Sequence, residues 1–125
     1  MGRAATAPTV LLVEDEVLIS QLVADWLADR GFAVHEAATA DEALAYIGEG
    51  GAVDVMFTDV NLPGSMDGAQ LAARVRALRP ELPIVYASGR YRADEIAPLV
   101  PRSVFVAKPY DPADLCTLLA RLTAA

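Results

Sequence analysis

Short, wholly apolar runs alternate along the chain with longer stretches in which apolar positions recur every three or four residues. The first run, Val10, Leu11, Leu12 and Val13, stops abruptly at Glu14, Asp15 and Glu16. A run of that kind predicts a buried strand whose carboxyl end opens into an acidic loop. Leu18, Leu22, Val23, Trp26 and Leu27 then recur at helical spacing, and Gly31 follows as a residue free to take the left-handed conformation that ends a helix. Phe32 to Glu36 predicts a second strand. Thr39, with Glu42 three residues on, forms a capping-box pattern that opens a helix through Ala43, Leu44 and Ile47, and Gly48, Gly50 and Gly51 stop it.

Val53 to Thr58 predicts a third strand ending at Asp59, followed by a loop of Asn61, Leu62, Pro63 and Gly64. The next helix has its apolar contacts at Leu71, Val75 and Leu78, and Pro80 and Pro83 bracket its exit. Ile84 to Ala87 is a fourth strand ending at Ser88 and Gly89. In the polar stretch after it, Pro98 and Pro101 leave room for only a short helix. Ser103 to Ala107 is a fifth strand. Asp111, Pro112 and Asp114 then supply an N-cap, a proline at the first helical position and a first-turn acid, ahead of an apolar stripe at Leu115, Leu118, Leu119 and Leu122.

Five strands alternating with five helical patterns predict a doubly wound α/β fold, a five-stranded parallel sheet flanked on both faces by five helices. The 125 residues fit a single domain spanning 1–125 with its core at about 9–122, and 54% hydrophobic with 22% charged residues is a globular composition. No apolar run approaches the roughly 18 residues of a membrane span, and Met1 to Pro8 has no secretory stretch. The expected location is the cytosol. A net charge of -7 argues against direct contact with nucleic acid, which depends on basic side chains. Cys116 is the only cysteine, which excludes an intramolecular disulfide and a multi-cysteine metal site.

In such sheets ligands bind beyond the carboxyl ends of the strands, where this pattern places Glu14, Asp15, Asp59, Ser88 and Lys108. Each alone is an ordinary turn or surface residue; four strand ends carrying them together point to a site. Carboxylates brought that close repel unless a cation intervenes, and hard oxygen ligands suit Mg²⁺. Asp15 and Asp59 are expected as direct ligands, Glu14 directly or through water, and the carbonyl of Asn61 as a further oxygen. A carboxylate that attacks a phosphoryl group forms an acyl phosphate, for which Asp59 is the nucleophile, with Lys108 and Ser88 facing the transferring oxygens.

This set of residues resembles the bacterial response-regulator receiver family (CheY-like) from about Thr9 to Leu122. Glu14 and Asp15 resemble its metal-binding acids, Asp59 its phosphoacceptor, Ser88 its hydroxyl residue, and Lys108 with Pro109 its lysine and characteristic cis peptide bond. Phe105 falls at its switch aromatic. The resemblance implies strand order 2-1-3-4-5, a flavodoxin-like architecture, and phosphorylation by a sensor histidine kinase or phosphotransfer protein. It also implies a shape change on the surface of the fourth helix, fifth strand and last helix. Such a stand-alone module acts on an unidentified downstream protein or as a phosphate sink.

Three features depart from the family's commonest pattern. The loop Gly64, Ser65, Met66, Asp67 and Gly68 is one residue longer than usual, and Pro98 and Pro101 shorten the fourth helix. The run Tyr86, Ala87, Ser88, Gly89, Arg90, Tyr91 resembles the signature of a subgroup of single-domain receivers whose partners are kinases of the HWE or related classes. Two other readings compete. A phosphohydrolase using Asp59 wants a second acid two residues on, where Asn61 stands, and an FMN binder wants a phosphate-cradling loop after the first strand, where acids would repel it.

Overall fold

The structure, a computed structural model, describes residues 7–89 and 100–124. Its elements run β1 (Thr9–Val13), α1 (Val17–Asp29), β2 (Ala33–Ala37), α2 (Ala40–Gly48), β3 (Val55–Asp59), α3 (Gly68–Leu78), β4 (Ile84–Ser88), β5 (Ser103–Ala107) and α4 (Pro112–Thr123). The strands form one parallel sheet in the order β2-β1-β3-β4-β5, so β1 and β3 lie at its centre. That is the sheet and order expected, with four helices among the described residues. The short helix expected after Gly89, with Arg90, Tyr91 and Pro98, lies outside the described residues.

The apolar runs are strands because both faces of the sheet are covered. Leu11, Val13, Met56, Ile84 and Tyr86 face one buried cluster with Ala43 and Ile47 of α2 and Leu71 and Val75 of α3. Val10, Leu12, Val55, Phe57 and Val85 face the other, with Val23 and Leu27 of α1 and Leu115, Cys116 and Leu119 of α4. Cys116 is thus a core residue.

The helix ends follow local chemistry. Gly31 (φ 93°) and Gly50 (φ 84°) take the left-handed conformation after α1 and α2. Thr39 caps α2 by accepting from the Glu42 amide at 3.1 Å, while the Glu42 carboxylate accepts from Ala38, one residue earlier than the expected reciprocal bond. Asp111 caps α4 by accepting from the amides of Ala113 and Asp114, with Pro112 at the first helical position. A full capping box that the sequence reading passed over, Asp67 with Gln70, opens α3.

Three expected core contacts are corrected. Leu18 and Leu22 of α1 are 81% and 51% exposed, and Leu78 of α3 is 55% exposed. The inner face of α1 is Ser20, Val23 and Leu27, and Leu18 and Leu22 each stand two residues from Ser20, about 200° round the helix. Ser20 is buried because its hydroxyl donates to the Glu36 carboxylate at 2.6 Å. At the far edge of the sheet, Arg76 of α3 donates to the carbonyls of Pro101 and Arg102, fixing the start of β5.

Candidate functional site at the carboxyl edge of the sheet

β1 and β3 are paired from Val10 with Val55 to Val13 with Thr58, so their carboxyl ends finish level and deliver Glu14 and Asp59 side by side. Oxygen atoms of Glu14, Asp15 and Asp59 lie within 4.8 Å of one another. Glu14 is buried, Asp59 partly so and Asp15 exposed, which leaves the cluster open to solvent on one side. β5 ends beside them, and the Lys108 ammonium donates to Asp59 Oδ2 at 3.1 Å and stands 4.0 Å from Glu14 Oε1. The Lys108–Pro109 peptide is cis, the feature implied by the resemblance.

Asn61 donates its amide N–H to Asp59 Oδ1 at 3.2 Å, so both Asp59 oxygens are held, one by the loop and one by the lysine. Ser88 ends β4 with its side chain buried, and its carbonyl accepts from the Lys108 amide at 2.9 Å. Phe105 is half-buried and packs against the cluster on the α2 and α3 side, in register with Tyr86. The expected site residues therefore fall into two groups. Glu14, Asp15, Asp59, Asn61 and Lys108 come together at the carboxyl edge; Ser88 ends the neighbouring strand β4, and Phe105 sits farther back along β5.

The longer loop before α3 closes onto Asp59. Gly64 turns it with φ 95°, and the Gly68 amide donates to the Val60 carbonyl at 2.8 Å. Gly68 lies so close to the strand end that a Cβ there would collide with the Asp59 carbonyl oxygen. The sequence reading also passed over Tyr110, whose ring packs edge-on against Phe57 and lines the crevice with Glu14, Asp59 and Lys108. Burial, and then the charges of Glu14 and Asp59, push its hydroxyl up to about 12. No linear pattern announces such a residue; its one signal is its place directly after Lys108 and Pro109.

Burial raises the Glu14 carboxyl above its usual range, and the Asp59 and Asp15 charges add to the rise against the amide of Glu16 and the Lys108 ammonium. A carboxyl raised on folding contributes stability below its unfolded pKa, and that contribution is lost as pH rises through the folded value. Three acids at one point offer the hard oxygens that Mg²⁺ takes, and a dication would relieve the repulsion once Glu14 is ionised. Mg²⁺ should accordingly raise the melting temperature more at about pH 7 than at about pH 5. Thermal unfolding at both values with and without the ion checks this, and equal shifts would contradict it.

The sequence model of the response regulator receiver domain matches residues 10–120. The sensor kinase CckA of Brucella abortus is 37% identical over 118 residues, 91% of this chain and 12% of that protein. The nitrogen assimilation regulatory protein NtrX of Azorhizobium caulinodans is 34% identical over 118 residues, 92% of this chain and 26% of that protein. The chain thus spans a minor part of these relatives. Among solved structures, a response regulator receiver protein from Sinorhizobium medicae superposes with a TM-score of 0.87 at 32% identity, covering 94% of both chains. With the family matched across almost the whole sheet and the acidic crevice at the expected strand ends, this chain belongs to the response-regulator receiver family.

Proposed function

We propose that this chain is a phosphoacceptor module of a two-component phosphorelay, taking a phosphoryl group from a histidine kinase or phosphotransfer protein onto Asp59. The observation that carries this reading is the 3.1 Å contact of Lys108 Nζ with Asp59 Oδ2 inside a cluster of three carboxylates. An Asp59 oxygen attacks the phosphorus of a phosphoimidazole, the P–N bond breaks, and its electron pair leaves with the donor's ring. Lys108 moves from neutralising the carboxylate to neutralising the transferred oxygens, and Asn61 N–H holds the carboxylate in place. Glu14, Asp15, Asp59 and the carbonyl of Asn61 would hold Mg²⁺, which supplies positive charge to the acids and to the phosphoryl oxygens.

The exposed apolar side chains of Val17, Leu18 and Leu22, on the helix that begins two residues after Asp15, offer a donor protein a surface. Kinases of the HWE class are the donors to try first, given the run from Tyr86 to Tyr91. In the phosphorylated state Ser88 draws toward the phosphoryl group and Phe105 turns inward, changing the surface around β5 and α4. Catalysis is confined to the chain's own phosphorylation and dephosphorylation. The chain delivers its signal by protein contact or serves as a phosphate sink. Its place is the cytosol, and no helix among the described residues is long and apolar enough to cross a membrane.

Incubation with acetyl phosphate tests the reading without a known kinase. Wild-type protein is expected to gain one acid-stable, base-labile phosphoryl group in the presence of Mg²⁺ and none when the ion is chelated. Labelling that ignores chelation would overturn the assignment of the crevice.

A further inference from the structure

The crevice has a wall that none of this chemistry uses. Tyr110 sets its ring over Phe57 edge-on, with centroids 5.7 Å apart at 74°. Phe57 and Asp59 are alternate residues of β3 and share a face of the sheet, so Tyr110 sits on the seam between the apolar core of that face and the charged groups. On one side lie Leu12, Val23 and Phe57; on the other lie Glu14, Asp59 and Lys108. The space they enclose is about 10 Å³, at the lower limit for a single water molecule.

An ion pair weakens as water reaches it, because the local dielectric rises. Lys108 is the more exposed partner, with 32% of its side chain accessible against 12% for Asp59. The outer side of the pair is therefore wet by construction, and the inner side is where packing decides how firmly the ammonium is held.

We propose that Tyr110 is a positioning residue of the phosphoacceptor site, its ring sealing the inner side of the Lys108–Asp59 pair against water and so holding the ammonium on the carboxylate. This rests on the phosphoacceptor reading above. The ring does the sealing, with its apolar body against Phe57, and the hydroxyl is secondary.

The test is a double-mutant cycle on the initial rate of labelling by acetyl phosphate with Mg²⁺. Tyr110→Ala is expected to slow labelling by about tenfold, the loss seen when a group supporting a site from behind is removed. Tyr110→Phe recovers most of that loss. In the background of Lys108→Ala, adding Tyr110→Ala costs less than about twofold, because no ammonium is left to hold. General structural damage would instead multiply the two losses, and that outcome overturns the proposal, as does a phenylalanine variant as slow as the alanine one. Tyr110→Leu serves in the same cycle where the alanine variant does not fold. Absence of labelling in the wild type rejects the phosphoacceptor reading and this proposal with it; normal wild-type labelling with an additive cycle rejects the role of Tyr110 alone.

Discussion

Asp59→Asn is expected to leave the protein folded and unable to accept a phosphoryl group. The amide keeps the shape of the side chain and an oxygen for the Asn61 N–H, now 3.2 Å from Asp59 Oδ1. It offers neither a nucleophilic carboxylate nor a charge for the Lys108 ammonium at 3.1 Å. A neutral isostere that retains one hydrogen bond costs stability on the order of 1 kcal/mol, so loss of labelling would be chemical in origin. Removing one of three clustered carboxylates also strips the crevice of a metal ligand. The variant should thus lose both the acetyl phosphate label and most of the Mg²⁺-dependent rise in melting temperature. Full labelling would transfer the acceptor role to Asp15 or Glu14.

Gly68→Ala is expected to be the most damaging single-methyl change in the described residues. The new Cβ would collide with the Asp59 carbonyl oxygen and come to 2.9 Å from both the Asp59 carbonyl carbon and the Val60 Cα, all backbone atoms of the strand end. Nothing there can swing aside. Relief requires α3 to retreat from β3, which breaks the 2.8 Å bond from the Gly68 amide to the Val60 carbonyl and moves the loop that holds Asp59. The cost should reach about 3 kcal/mol or more, above the usual range for overpacking because the obstacle is backbone. Urea unfolding measures it, and labelling of the folded fraction should fall as well. A loss under about 1 kcal/mol with normal labelling would show that the strand end and the helix are less tightly joined than described.

The centre of the sheet was legible because β1, β3 and β4 are buried on both faces, so Val10 to Val13 and Ile84 to Ala87 read as unbroken apolar runs with chemistry at their ends. The acids and the lysine were legible for the same reason: a charged residue directly after a buried run has only the strand's end to occupy. The inner face of α1 was not. Periodicity counts apolar residues, and Val17, Leu18 and Leu22 are apolar but turned outward, while the inward Ser20 is polar and is reconciled with burial by Glu36, sixteen residues away. The start of α3 is marked in the sequence by Asp67 and Gln70 at capping-box spacing, but the glycines on either side, Gly64 and Gly68, read equally as loop. Tyr110 carried only one signal, its place directly after Lys108 and Pro109, because no apolar spacing along the chain marks a residue that lines the crevice.

We propose that Asp59, held by Lys108 and Asn61 within an acidic crevice, carries the phosphoryl group. Borohydride reduction after acetyl phosphate treatment tests it on the wild-type chain, because an aspartyl phosphate is reduced to homoserine while a free carboxylate is untouched. Peptide mapping is expected to find homoserine at position 59 alone and only when Mg²⁺ was present. Homoserine at position 15, or none at any acid under conditions that label the protein, would contradict the account.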